Sequence, residues 1–261
     1  MASPVDSASF PTPVAALVAG SVRRAAPVPR VAMYHSVGDC SEDPYRITVT
    51  PERLGRQLAW LRRRGLRGVP VRELLAARAR GGGGDLVGLT FDDGYADFLT
   101  AALPQLRRHG CGATLFVLAG RLGGDNSWDP LGPRKPLLTA EGVRRAAAEG
   151  VEIGSHGLTH VDLTRSGDLV LKTEAAESRA LLEELTGGPV DGFCYPYGAV
   201  DARAVTAVRE AGYAYACAID PGALAGPHAL PRLHVGQNDT AWRLELKLLV
   251  HRVRRRRPEG V

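Results

Sequence analysis

Four side chains in two short segments could together hold and use a divalent metal ion. Asp92 and Asp93 are adjacent and follow an apolar run, and His156 and His160 lie four residues apart after a second apolar run. Carboxylate and neutral imidazole are the ligands that a borderline ion such as zinc prefers. Three of these groups as ligands would leave a coordination position open for water, and the spare carboxylate could take a proton from that water. The two segments therefore predict a metal-dependent hydrolase.

Each segment also has a simpler explanation when it is taken alone. An Asp-Asp-Gly tripeptide is usually a turn, because Asp and Gly suit turn geometry. Two histidines four residues apart are often surface or internally bonded side chains. Here each segment follows a run that predicts a buried strand, Leu86–Phe91 before the carboxylates and Val151–Ile153 before the imidazoles. The combination favours the metal site over the two simpler explanations.

The two segments resemble the most specific motifs of the polysaccharide deacetylase family, also called the NodB-homology or carbohydrate esterase 4 family. Thr-Phe-Asp-Asp-Gly at 90–94 and Ser-His-Gly-Leu-Thr-His at 155–160 are both intact. Phe-Cys-Tyr-Pro-Tyr-Gly at 193–198 is similar to the F-x-Y-P-Y-G form of a third motif. Met-Tyr-His at 33–35 resembles the start of the branch of poly-N-acetylglucosamine deacetylases, and fainter similarity runs from about 31 to about 235.

The resemblance implies a role for each matching residue. Asp93, His156 and His160 match the metal ligands, and Asp92 matches the catalytic base. Tyr197 matches the position whose backbone N–H stabilises the oxyanion of the reaction. The implied activity is hydrolysis of the N-acetyl group of an amino sugar, with one divalent ion as cofactor. We expect Zn²⁺, with Co²⁺, Ni²⁺ or Mn²⁺ as alternatives.

The resemblance leaves two candidates for the general acid that protonates the leaving amine. The family usually supplies a histidine near its C-terminal end, and His234 sits in roughly that region. The Met-Tyr-His branch is permuted and uses the early histidine, so we favour His35. The family's third motif also carries an arginine that orients the base. It is missing here, where Cys194 stands upstream of the motif, and Arg232 is a candidate replacement. The family's fourth motif is not recognisable in residues 216–220.

Helical patterns and short apolar runs alternate along the chain. Strands are predicted at 31–35, 86–91, 113–118, 151–153, 190–195, 213–219 and 232–235, and helices after Thr50 and at 98–109, 139–149, 168–185, 202–211 and 241–252. This alternation predicts parallel βα units, and motifs at strand carboxyl ends suit a (β/α) barrel. The resembled family has a distorted barrel with fewer than eight strands, and we assign this α/β fold to the chain. A doubly wound open sheet is the alternative, but the sequence has no Gly-rich phosphate loop.

The composition suits one large domain with a well-buried core. We divide the 261 residues into a loose arm at 1–29, the deacetylase-like domain at 30–253 and a basic tail at 254–261.

The formal net charge is +5, but 30 of the 33 basic residues are arginine, which indicates a coding bias, and we expect no nucleic-acid partner. The tail Arg254, Arg255, Arg256 and Arg257 is either solvated or a contact for anionic lipid or glycan phosphate. The four scattered cysteines predict reduced thiols.

Location and substrate are further expectations. No run approaches the ~18–20 apolar residues of a membrane span. The segment Val14–Ala19 is a poor secretory signal, because it is short, follows two prolines and has no early basic residue before it. We therefore expect a cytoplasmic enzyme that acts on a glycan precursor, a lipid-linked sugar or a glycosylated metabolite. Trp128, in a long Gly- and Pro-rich loop at 120–137, could line the sugar groove.

Two other functions stay open at this point. The same metal site could act on a non-sugar amide or an ester, because fold and metal centre do not fix the substrate. The chain could also be a non-catalytic glycan-binding protein. The intact set Asp92, Asp93, His156 and His160 disfavours that second alternative.

Overall fold

The structure, a computed structural model, describes residues 30–254, apart from the side chains of 248 and 250–254. The predicted N-terminal arm at 1–29 and Arg255, Arg256 and Arg257 of the basic tail lie outside the described residues, so the expectations that rest on them stay predictions. Within residues 30–254, every helix is too short or too polar to cross a bilayer.

Strands and helices alternate through the described chain. The strands are β1 (Val31–Tyr34), β2 (Ser36–Val37), β3 (Thr48–Val49), β4 (Arg67–Val69), β5 (Leu86–Phe91), β6 (Thr114–Val117), β7 (Glu152–Ser155), β8 (Gly192–Cys194), β9 (Tyr215–Ala218), β10 (Leu230–Pro231) and β11 (Leu233–His234). The α-helices are α1 (Pro51–Arg63), α2 (Val71–Ala79), α3 (Leu103–Arg108), α4 (Ala140–Ala148), α5 (Asp168–Thr186), α6 (Ala202–Glu210) and α7 (Ala241–Arg254). A π-helical turn, Phe98–Ala102, leads into α3.

The main sheet is parallel and nearly closed. Its order is β10-β9-β8-β7-β6-β5-β1-β11. β4 pairs with the first half of β5, and β6 pairs with the second half. Its two end strands, β10 and β11, are separated along the chain only by Arg232. Because β10 pairs with β9 and β11 with β1, this one segment brings the two edges together. The predicted distorted (β/α) barrel is confirmed. Within residues 30–254 its sheet has nine strands, against the fewer than eight expected, and two of these are the two-residue β10 and β11 at the seam.

α1 shows how local sequence places a helix on the barrel. The hydroxyl of Thr50 accepts a hydrogen bond from the backbone N–H of Arg53 at 3.2 Å, so one of the unpaired N–H groups of the first turn is satisfied. Leu54, Leu58 and Leu61 follow at helical spacing and are buried against the sheet. The predicted start of this helix after Thr50 is confirmed.

β4 and α2 had no counterpart in the sequence prediction. α2 follows Pro70, which offers no side chain that could cap it. Two residues of neighbouring strands do so instead: Thr114 Oγ1 accepts from Val71 N at 2.9 Å, and Glu152 Oε2 accepts from Arg72 N at 3.1 Å. Tertiary contacts set the start of α2, and no local pattern could show them.

Candidate active site

The predicted site residues sit where parallel strands end. His35 follows β1, Asp92 and Asp93 follow β5, and His156 follows β7. These strands are neighbours or near neighbours in one parallel sheet, so their carboxyl ends meet on the same rim of the barrel. The rim opens into a cleft of about 520 Å³ that these residues line, together with His160, Tyr197, Arg232 and His234.

Asp93, His156 and His160 converge on one point. The Nε2 atoms of both histidines lie 3.3 Å from Oδ1 of Asp93. The three groups are buried, and their donor atoms all lie within 4.8 Å of one another. His156 Nδ1 is 2.7 Å from the carbonyl oxygen of Cys194 and donates to it, which leaves the lone pair of Nε2 directed at Asp93.

This arrangement fits a divalent cation. Oδ1 of Asp93 is buried and has no hydrogen-bond partner among the described residues, and an unpaired buried carboxylate oxygen is costly. Burial favours the neutral carboxyl, but His156 and His160, when they carry protons on Nε2, hold the pKa of Asp93 well below its usual value, and a bound cation would replace those protons. One carboxylate and two imidazoles are a donor set that zinc and similar ions prefer, and an ion at their meeting point would satisfy Oδ1.

The backbone is held in an unusual conformation at this cluster. Asp93 and His160 have φ values of 69° and 67°, and Tyr197, beside the cluster, has 59°. Residues other than glycine rarely adopt the left-handed region, and they do so where the surrounding structure enforces it. Here the strained turns direct two of the three donor groups into the centre.

Glu174 of α5 fixes the turn that carries the histidines. Its Oε2 accepts from the backbone N–H groups of Leu158 at 2.6 Å and Thr159 at 3.2 Å, and its Oε1 accepts from the Thr159 hydroxyl. Glu174 is only 4% exposed. At Gly157 a Cβ atom would meet Oε2 of Glu174 at 2.7 Å, so this position needs glycine. One buried carboxylate therefore orients the whole segment between the two imidazoles.

Asp92 is paired differently from its neighbour Asp93. Arg232 donates to both carboxylate oxygens of Asp92, from Nη1 to Oδ1 at 2.6 Å and from Nη2 to Oδ2 at 2.7 Å. The Nη1 atom also donates to Thr90 Oγ1 at 3.1 Å. Burial would raise the pKa of Asp92, but the Arg232 guanidinium and His35 hold it below its usual value. Asp92 is therefore an ionised, rigidly held carboxylate, and the candidate orienting residue Arg232 lies directly on it.

Cys194 also contacts Asp92. Its thiol donates weakly to Oδ2 at 3.5 Å. Burial raises the pKa of this thiol well above its usual value, so Cys194 is a neutral thiol and not a competing nucleophile. The guanidinium that holds Asp92 comes from Arg232 at the barrel seam. The third motif contacts Asp92 only through the Cys194 thiol.

The two candidates for the general acid, His35 and His234, lie at different distances from Asp92. His35 Nε2 is 3.8 Å from Asp92 Oδ2, and within residues 30–254 no other histidine comes within 4 Å of that carboxylate as an ion-pair partner. The ring of His234 lies beyond it, 6.5 Å from the ring of His35 between centroids. Burial lowers the pKa of both imidazoles. Of the two histidines, His35 lies against Asp92 and His234 does not.

Aromatic side chains cover one side of the cluster. The Trp128 ring stacks on His160 with 4.6 Å between centroids, and the Tyr197 ring meets His160 edge-on at 4.5 Å. Tyr197 is 53% exposed, so part of its ring faces the open cleft. Lys135 anchors the loop of Trp128, because its Nζ donates to Ser36 Oγ at 2.7 Å and Thr48 Oγ1 at 2.8 Å in the small β2–β3 sheet.

Sequence reasoning missed two acidic residues of the site. Glu174 carried a usable signal, since it lies on the same helical face as the buried Leu171, Ala175, Ser178 and Leu182. An acid on a core-facing stripe indicates a buried polar partner. Asp129, in the loop beside Trp128, also lines the cleft, and burial together with nearby Asp93 raises its pKa. No periodic pattern marks a residue in such a loop.

The matching family model and two of the relatives that match this chain carry deacetylase names. A family model described as polysaccharide deacetylase matches residues 79–216, more than half of the 261 residues. The YxkH protein of Bacillus subtilis strain 168, which carries the family name, is 26% identical over 210 residues, covering 78% of this chain and 70% of that protein. A peptidoglycan-N-acetylglucosamine deacetylase of Bacillus cereus is 28% identical over 129 residues, covering 49% of this chain and 54% of that protein. The chain thus spans about half the length of the latter relative.

Solved structures show that the fold is shared. The deacetylase PplD of Streptococcus pyogenes, solved in complex with acetate, has a TM-score of 0.73 at 22% identity, covering 85% of this chain and 99% of that chain. IcaB from Ammonifex degensii has a TM-score of 0.71 at 24% identity, covering 85% of this chain and 97% of that chain.

Replacing Asp93 or His156 by alanine should remove most divalent-ion binding, because each change leaves only two of the three converging donors. Equilibrium dialysis against Zn²⁺ followed by elemental analysis measures the stoichiometry. Asp129→Asn is the matched control, a carboxylate of the same cleft outside the cluster, and should keep the ion. Unchanged stoichiometry in both alanine variants would refute this ligand set.

Glu174→Gln should weaken Zn²⁺ binding by about tenfold or more, because partners behind metal ligands typically contribute about 10–100-fold in affinity. Competition with a fluorescent chelator gives the dissociation constant. Glu177→Gln, an exposed site on the same helix, should leave it unchanged. A lower melting temperature with wild-type affinity would show that Glu174 only stabilises the fold.

Proposed function

The chain belongs to the polysaccharide deacetylase family, and from this membership we propose that it is a metal-dependent N-deacetylase of an N-acetylated amino sugar. The observation that carries the proposal is the difference in partners between the adjacent carboxylates Asp92 and Asp93. Asp93 meets two imidazoles at 3.3 Å, while Asp92 is clamped by Arg232 at 2.6 and 2.7 Å. This difference supports Asp93 as a ligand of the ion and Asp92 as the proton acceptor.

Asp93, His156 and His160 would hold the ion. A bound divalent ion, with Zn²⁺ as the favoured one, would polarise the acetamide carbonyl and lower the pKa of a water molecule. Asp92 accepts the proton of that water. The two hydrogen bonds from Arg232 keep Asp92 ionised and fix its plane. Oδ2 also accepts the weak bond from Cys194, so Oδ1, which accepts from Arg232 Nη1, has a second lone pair for the incoming proton.

The turn at Tyr197 supplies the group for the developing negative charge. Its positive φ of 59° sets the backbone beside the cluster, and its ring packs against His160. We assign the backbone N–H of Tyr197 to the carbonyl oxygen that becomes an oxyanion when water attacks. A preorganised N–H of this kind acts where charge develops, and removal of one such donor typically costs ~10²–10³ in rate.

The leaving amine needs the proton that the water gave up. His35 lies 3.8 Å from Asp92, which is longer than a hydrogen bond, so a bridging water or a small approach of the two groups would relay the proton to the imidazole, which passes it to the nitrogen. Burial lowers the pKa of His35, so the imidazole starts as a neutral acceptor. This order keeps the proton balance closed: water loses one proton, and the amine gains it.

The cleft walls support a sugar as the substrate. Tyr197, 53% exposed, offers the cleft a ring on which a pyranose can pack. Trp128 is stacked on His160 with Arg121 over its ring and forms the wall behind, and Asp129 offers a carboxylate in the same cleft. The Bacillus cereus relative is named for peptidoglycan N-acetylglucosamine. We therefore place N-acetylated hexosamine units, as an oligomer or a precursor, first among substrates.

Acetate release tests the proposal directly. We would incubate the Zn²⁺-loaded protein with N-acetylhexosamine oligomers, nucleotide sugars, glycosylated metabolites and simple aryl acetates. The proposal expects release from at least one N-acetylated sugar class, lost in the Asp92→Asn variant. Release from aryl acetates alone would favour the alternative of an esterase or non-sugar amidase, and no release from any substrate would favour a binding protein.

Asp92→Asn should keep the bound ion and lower turnover by about 10²–10⁴-fold, since a positioned base typically contributes that much. Dialysis and a continuous acetate assay on the same preparation give both readings. The paired control is Asp93→Asn, which should lose the ion. If Asp92→Asn lost the ion and Asp93→Asn kept it, the two roles would have to be exchanged.

His35→Ala should retain the ion, lose most activity on an amide and lose much less on an activated aryl ester. The ester leaving group needs little protonation, so the contrast isolates the acid role. His234→Ala, in the same cleft but farther from Asp92, should show no such contrast. Equal losses of His35→Ala on both substrates would indicate a binding role for His35 and direct attention to His234.

A further inference from the structure

α7 presents an apolar face to solvent. Trp242, Leu246 and Leu249 are 65%, 51% and 57% exposed. They are spaced by four and three residues, so on an α-helix they form one continuous stripe. Val253 follows at the next step of the same spacing in the sequence. An exposed stripe of this kind is uncommon unless the surface has a partner.

The opposite side of α7 fixes the helix to the barrel. Leu244 is 5% exposed and belongs to the main core cluster. Lys247 donates to Asp239 Oδ2 at 2.5 Å and to the carbonyl oxygen of His234 at 2.9 Å. On the flank of the stripe, Glu245 pairs with Arg64, the residue that follows α1, at 2.9 Å. One face of the helix is therefore packed and hydrogen-bonded against the barrel, and the stripe points away from the protein.

Positive charge is concentrated in the sequence of α7 and of the residues that follow it. Residues 241–261 hold seven lysines and arginines against two glutamates, a net charge of +5. This equals the formal charge of the whole chain, so residues 1–240 together are neutral. Five of the six residues 252–257 are arginine. The coding bias towards arginine explains the residue type but not this concentration in one place.

We propose that α7 and the arginines that follow it form a docking surface for an anionic phospholipid membrane. The stripe of Trp242, Leu246 and Leu249 enters the headgroup region, and the arginines pair with lipid phosphates. A helix with one apolar face and a basic flank lies in the plane of the interface and does not span the bilayer. Tryptophan suits this depth, because it has an apolar ring and a polar N–H.

Other occupants fit the same observations less well. A second copy placed stripe to stripe would bring two segments of charge +5 together, and like charges facing each other oppose association. A nucleic acid or another polyanion would use the arginines but would leave the apolar stripe unexplained. A membrane with anionic headgroups satisfies both features at once.

Co-sedimentation of the full chain with lipid vesicles tests this surface. The vesicles are phosphatidylcholine alone, or phosphatidylcholine mixed with phosphatidylglycerol. One variant combines Trp242→Ser, Leu246→Ser and Leu249→Ser, and a second replaces Arg254 to Arg257 by glutamine. The control combines Leu169→Ser, Val170→Ser and Leu181→Ser on α5, which are also exposed, at 79%, 43% and 47%. Circular dichroism checks that each variant is folded.

We expect binding to the anionic vesicles only, weakened by salt, with each α7-region variant bound about tenfold or more weakly and the control unchanged. Absence of binding by the unaltered chain would overturn the proposal. Unchanged binding by the stripe variant would also overturn it, because the arginines alone would then explain the binding, as they would to any polyanion. A dimer that the stripe variant converts to a monomer in light scattering, without vesicle binding, would assign the stripe to a second copy and overturn the proposal as well.

Discussion

Two adjacent buried carboxylates are the constraint on which the site depends. Asp92 and Asp93 are 2% and 3% exposed, and neither can stay ionised at that depth without a positive partner. The structure gives them separate solutions. Arg232 neutralises Asp92 through two hydrogen bonds, while Asp93 faces two imidazoles and keeps an unpaired oxygen. The proposed division into a base and a metal ligand rests on this difference in partners.

The Arg232–Asp92 ion pair connects the site to the closure of the barrel. Arg232 stands between β10 and β11, whose pairings bring the two edges of the sheet together. Its guanidinium reaches across the barrel interior to the end of β5 and lies over the Phe116 ring at 5.9 Å. Removing one partner of a buried ion pair typically costs about 3–5 kcal/mol, because the other charge is left unpaired. The residue at the seam therefore also orients Asp92.

Prediction from sequence was strongest where chemistry and local pattern coincide. Asp92, Asp93 and His156 each follow an apolar run, so strand ends and candidate ligands could be placed together. Arg232 was only a candidate, because its partner Asp92 lies 140 residues away and no local pattern marks a barrel seam. The start of α2 depends on Thr114 and Glu152 of other strands, and for the same reason it was not predicted.

The central claim is that one ion lies among Asp93, His156 and His160 while Asp92 stays with Arg232. Anomalous diffraction at the zinc edge from crystals grown with Zn²⁺ tests it most directly. The account predicts a single peak about 2.0–2.2 Å from the carboxylate of Asp93 and the two Nε2 atoms, with the Asp92–Arg232 pair intact. A peak bonded to Asp92, or no peak at this cluster in fully loaded protein, would contradict it.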